Sequence, residues 1–161
     1  IEGGFNPYVR TRLDASAYWQ ASAGLVLAGR VRIGAMKGAS RGDIAPSQRF
    51  YAGGGGSVRG FAYKSLGPQD PGGDPLGGRS INEVSAEVRY RFGSLGVVGF
   101  VDAGQSYAAS MPRFSHLRAG AGVGGRYYTA FGPLRVDVAT PIDRKAGEGR
   151  FYLYVSIGQA F

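Results

Sequence analysis

With 161 residues the chain has room for one closed domain and no more. Its zero cysteines exclude a disulfide scaffold, a thiolate metal site and a cysteine nucleophile, and one histidine leaves no histidine-rich metal site. The net charge of +8 is carried by basic residues spread along the whole chain, and no apolar run approaches the ~18 residues of a membrane-spanning helix.

The chain opens on Ile1-Glu2-Gly3-Gly4, neither a start Met nor a secretory signal, so it reads as a piece of a longer protein. From there period-2 alternation recurs, and the 29 glycines are too densely scattered for long helices. Residues 8–19 set Val9, Leu13, Ala15, Ala17 and Trp19 against Arg10, Arg12, Asp14 and Ser16. Residues 25–36 set Leu25, Leu27, Val31, Ile33 and Ala35 against Arg30, Arg32 and Met36. In 83–92, Val84, Ala86, Val88, Tyr90 and Phe92 oppose Ser85, Glu87, Arg89 and Arg91. The same pattern fills 95–104, where Val97, Val101 and Ala103 oppose Phe100, Asp102 and Gly104. It continues through 116–128 and 134–138, and in 151–161 it puts Phe151, Leu153, Val155, Ile157 and Phe161 on one face.

About seven strands follow, each near the ~9–11 residues that cross a bilayer when tilted. Their connections alternate: short at 20–24, 93–94 and 131–133, long at 37–80, 105–115 and 140–150. Periplasmic turns and longer extracellular loops have this rhythm in an outer-membrane β-barrel. Trp19, Tyr90, Phe92, Tyr127, Phe131, Phe151 and Phe161 fall at strand ends, where interfacial aromatic girdles form. A soluble sandwich would also alternate, but its polar face would be rich in Lys and Glu. Here that face is Arg, Gly and Tyr with a few acids, which suits a crowded lumen. An odd strand count cannot close as a bacterial barrel, so the expected fold is all-β: the C-terminal portion of a larger transmembrane antiparallel barrel.

One stretch lacks strand pattern. The expected long loop, 38–80, centres on Arg49-Phe50-Tyr51-Ala52-Gly53-Gly54-Gly55-Gly56-Ser57-Val58-Arg59-Gly60-Phe61. A phosphate-binding reading fails because neither Gly-Lys-Ser/Thr nor a helix pattern follows. Gly120 to Gly125 also matches GxGxxG, but inside a strand, which makes a nucleotide site a poor explanation. The glycine run lets the chain reverse tightly and pass close to a wall. Arg59 at such a tip carries a charge that needs an acid if it enters the lumen, and Asp14, Glu87, Asp102 and Asp137 face that way.

The segment from Gly53 through Val58, Arg59, Gly60 and Phe61 resembles the sixth-loop motif of the outer-membrane assembly and secretion barrels, the surface-antigen superfamily. Residues 63–80 resemble the TamA branch of it, the barrel subunits of the translocation and assembly module. Gly99-Phe100-Val101-Asp102-Ala103-Gly104 and Gly132 through Pro141 also fit. The resemblance implies strands ten to sixteen of a sixteen-stranded barrel in the bacterial outer membrane, with residues 1–161 forming one domain part and the loop inserted in the lumen. It selects Asp102 as the partner of Arg59, with Glu87 a plausible second contact.

The resemblance further implies an assembly factor; a barrel enzyme is the third class, which the lack of a nucleophile motif or clustered acids argues against, and no cofactor is expected. Its partners would be outer-membrane lipids, client barrel proteins such as autotransporters, and an inner-membrane-anchored TamB-like subunit. A two-partner secretion pore or the general assembly barrel of the same superfamily is the alternative. The lumen-lining arginines alternate with outward residues, so they form no continuous patch for nucleic acid. His116 lies at a strand edge with no nucleophile motif beside it. The final strand, 151–161, would be one side of a seam, with Gly158 weakening its pairing and Phe161 as terminal signal.

Overall fold

The computed structural model describes residues 6–161, so the reading of the first four residues lies outside it. Seven strands follow in order: β1 (Val9–Ser22), β2 (Leu25–Lys37), β3 (Ser80–Phe92), β4 (Leu95–Tyr107), β5 (Arg118–Thr129), β6 (Gly132–Pro141) and β7 (Tyr152–Ile157). Each pairs antiparallel with the next, giving one sheet in sequential order. Two-residue turns join β1 to β2, β3 to β4 and β5 to β6; Gly24 (φ 82°) and Gly93 (φ 62°) take the positive φ that such turns need. The other ends are joined by long loops at 38–79, 108–117 and 142–151.

The two faces are inverted relative to a soluble protein. Leu13, Val88, Val123 and Leu153 stand outward at 61%, 50%, 67% and 66% exposure. Glu83, Glu87, Asp102, Arg126, Arg135 and Asp137 face inward and are buried. An apolar row on every strand that nothing among the described residues covers fits hydrocarbon rather than water. The apolar core sits inside, under the first long loop. Ala39, Ile44, Phe50, Ala52, Val58, Phe61 and Leu66 of that loop pack on Met36 and Ile81 of the wall.

The last strand differs from its expected form. β7 stops at Ile157, because Gly158 turns away at φ 103° with its N–H on the Pro133 carbonyl at 2.8 Å. Phe161 therefore leaves the outward row. Its ring lies 5.2 Å from the Arg30 guanidinium, 5.0 Å from that of Arg89 and 6.4 Å from the Tyr18 ring. Alternation could not register this, since one positive φ ends the period-2 geometry on which face assignment rests. Phe161 accordingly belongs to no outer girdle, whereas Trp19, Phe92 and Phe131 remain exposed beside the turns.

Candidate functional site

The site is built where the loop tip meets the inner wall. The chain enters along Phe50 to Gly53, with Phe50 and Gly78 exchanging backbone hydrogen bonds at 2.9 and 2.8 Å. Gly53 (φ 108°) and Gly54 (φ 102°) turn it, and the Gly54 N–H donates to the Val58 carbonyl at 3.0 Å. Ser57 takes the Gly53 N–H on its hydroxyl at 2.9 Å and donates to Glu83 of β3. Glu83 is held in turn by Arg32 at 2.7 Å. Glu83 is the first residue of the expected strand 83–92, where alternation gives it no face; β3 begins at Ser80, which puts Glu83 squarely on the inner face.

Arg59 is 1% exposed, so it is not a solvated loop charge. Its Nε and Nη2 fork onto Asp102 at 2.6 and 2.9 Å, and its backbone N–H donates to the same carboxylate at 3.0 Å. Nη2 also pairs with Glu87 at 2.6 Å, and Nη1 reaches Asp137 at 3.3 Å. The guanidinium stacks 3.5 Å above the Phe100 ring. Burial works to lower the Arg59 pKa, but the hydrogen bond and charge of Asp102, helped by Glu87, raise it overall. The group is a permanent cation.

Asp137, one of the inward acids left open by sequence, is the second hub. It takes Arg126 at 2.5 Å and Arg135 at 2.8 Å besides Arg59. Arg89 pairs with Glu87 at 2.7 Å. Four arginines thus face three carboxylates in one buried cluster fed by β3, β4, β5 and β6. A buried charge survives only with such partners.

The glycines of β5 make room for it. Gly120, Gly122 and Gly124 stand inward in register with Asp102, Phe100 and Val98 of β4. A Cβ on Gly120 would strike the Arg59 carbonyl oxygen; one on Gly122 would meet the Phe100 ring at 2.6 Å; one on Gly124 would strike the Asp137 carboxylate. The GxGxxG coincidence in this strand is therefore a bare groove for the loop tip, a signal that alternate glycines on one strand face could have given. Gly60 (φ 99°) lies against it, where a Cβ would sit 2.9 Å from the Thr140 carbonyl oxygen.

β7 closes the site from the other side. Tyr154 accepts the Gly60 N–H at 3.1 Å and donates to the Phe61 carbonyl at 2.7 Å. Tyr154 falls opposite the outward row of 151–161, a position that local pattern marks only as inward. Gly158 and Phe161, the expected functional end of that strand, lie elsewhere: Gly158 is just past the strand and Phe161 packs against Arg30 and Arg89.

A lipid-facing antiparallel wall, with a long loop pinned inside it by buried charge, defines a piece of a transmembrane β-barrel whose interior is occupied by its own chain. The chain belongs to the Omp85 superfamily, whose domain matches residues 1–161, and its place is the bacterial outer membrane. It is 33% identical over 169 residues to the outer membrane protein assembly factor BamA of Nitratidesulfovibrio vulgaris, covering 99% of this chain and 21% of that protein. Among solved structures it resembles BamA from Haemophilus ducreyi lacking POTRA domains 1–3 (TM-score 0.76, 23% identity, 95% of this chain and 35% of that one). CdiB from Acinetobacter baumannii is also similar (TM-score 0.60, 17% identity, 93% of this chain and 26% of that one). The chain thus spans about a fifth of the curated relative it matches.

Proposed function

We propose that the chain is the C-terminal part of an assembly barrel that inserts client β-barrel proteins into the outer membrane through a seam beside β7. The observation that carries this is the unequal hold on the wall. β7 is joined to β6 by six paired positions, Leu134↔Ile157 to Ala139↔Tyr152, against thirteen in β1–β2 and in β3–β4. A short, weakly held edge offers backbone donors and acceptors that an incoming strand can satisfy by β-augmentation. Assembly then proceeds by strand exchange, with no nucleotide or catalytic side chain.

The 33% identity to a BamA supports the general assembly barrel. The Leu66–Ser80 segment supports a TamA-like barrel, with autotransporters as clients and a TamB-like inner-membrane partner. A two-partner secretion pore is the remaining alternative, and counting POTRA domains in the parent chain separates the three.

The seam is tested by cysteines placed in β7 and in the parent's first strand. Locking them with a disulfide should stop client insertion by the reconstituted parent, and reduction should restore it. Insertion that survives the lock overturns the seam.

A further inference from the structure

Tyr154 is the only β7 side chain that hydrogen-bonds the loop tip among the described residues. Its phenol uses both of its capacities at once, accepting from Gly60 and donating to Phe61. The two peptide groups it serves flank the positive-φ turn at Gly60, next to the buried Arg59. Withdrawing the phenol would leave a buried donor and acceptor without partners, which folded chains avoid. Across the sheet Tyr154 is in direct register with Asp137, which itself reaches Arg59 at 3.3 Å. On its other side the tip backbone packs on the Tyr154 ring, where a Gly55 Cβ would lie 3.0 Å away, and the Gly55 carbonyl accepts from Arg135 at 2.8 Å.

We infer that Tyr154 is a positioning residue that latches β7 to the loop tip, so that release of the seam strand and release of the tip are one linked event. The inference rests on reading β7 as the seam. Peeling β7 outward must break both phenol bonds. Conversely, a tip that slips from its arginine cluster loses hold of β7. Linkage makes the effect reciprocal: whatever loosens one side loosens the other by the same free energy. A client strand that engages β7 would then be sensed at the loop, and the buried cluster would set how readily the seam opens.

The test is hydrogen exchange on the full parent barrel in lipid vesicles, followed at residues 58–62 and 152–157. Tyr154→Phe keeps the ring and removes both bonds; it should speed exchange tenfold or more in both segments. Arg59→Lys, at a side chain whose ion pairs go to Glu87, Asp102 and Asp137 and not to β7, should speed 152–157 as well. Tyr152→Phe is the control, because its hydroxyl serves only the Gly149 N–H, and it should leave 58–62 unchanged. Gly55→Ala, which crowds the ring without removing the hydroxyl, should act as Tyr154→Phe does. Acceleration confined to 58–62 in Tyr154→Phe, or 152–157 unmoved by Arg59→Lys, overturns the latch. Coupled exchange in a barrel whose locked seam still inserts clients upholds the latch and overturns the seam reading alone.

Discussion

Arg59 and Asp102, 43 positions apart, meet through three hydrogen bonds: two from the guanidinium and one from the Arg59 backbone N–H. The backbone bond fixes where the loop tip lies, and the forked pair fixes how its side chain points. Ser85, directly across from Asp102 in the β3–β4 ladder, donates to the same carboxylate. Asp102 is thus saturated, and the tip has one seat.

Arg59→Ala should cost more than Asp102→Ala. The first leaves Asp102, Glu87 and Asp137 without a shared cation, a loss of roughly 3–5 kcal/mol for a buried pair. The second leaves Arg59 with Glu87 and Asp137, so its cost should fall nearer ~2 kcal/mol, mostly from the lost hydrogen bonds. The double variant should cost less than the sum. Denaturant titration of the refolded barrel, with protease access to 49–66 as a second readout, checks the order. Equal and additive losses would show that the two residues act separately.

Gly124→Ala and Gly125→Ala form a matched pair. At Gly124 the methyl would strike the Asp137 carboxylate and sit 2.8 Å from Arg126 Nη1; at Gly125 nothing lies within 4 Å. The first should destabilise by about 1–3 kcal/mol through overpacking, and the second should be close to neutral. Their difference in unfolding midpoint measures how tightly the charge cluster fills its groove.

Charge on the outer face should be costly and depth-dependent. Val123 is 67% exposed midway along β5, and Val123→Arg should destabilise the barrel by roughly 2–4 kcal/mol in vesicles. Phe131→Arg, at the β5–β6 turn, should cost ~1 kcal/mol or less. Refolding into lipid vesicles, with electrophoretic mobility as the readout, distinguishes the two.

The loop 142–151 should loosen only in acid. Glu148 binds Arg118 at 3.0 and 2.9 Å. Burial works to raise its pKa, but the Arg118 hydrogen bonds and charge, with the Lys145 N–H, bring it below the ordinary value. A depressed folded pKa gives stability that is present above the unfolded value and is lost as pH falls through the folded one. The tether should hold at neutral pH and release only as the pH falls below the ordinary glutamate range. The pair is partly exposed, so its worth is ~0.5 kcal/mol or less. Protection at residues 142–151, taken relative to the intrinsic exchange rate at each pH, should fall by about twofold in acid in the native chain, and Glu148→Gln should show the same loss already at pH 7.

The wall is legible from local pattern alone. Period-2 alternation needs only neighbouring residues, so seven strands, their inner and outer faces and the alternation of short turns with long loops could all be read from Val9 to Leu153. The Gly-rich motif likewise marked the loop that matters. Contacts between positions far apart in the chain come from the folded form instead. Asp137 as a hub, Glu83 as a second anchor and Tyr154 on the loop tip each depend on register and on where a structureless loop lands. Local pattern carries neither. Face assignment also failed at the one place where a local conformation overrode the pattern, since the positive φ of Gly158 turned Phe161 away from the outer row. Conversely, Gly120, Gly122 and Gly124 serve as space, and what their missing side chains make room for is supplied by the loop tip and by other strands.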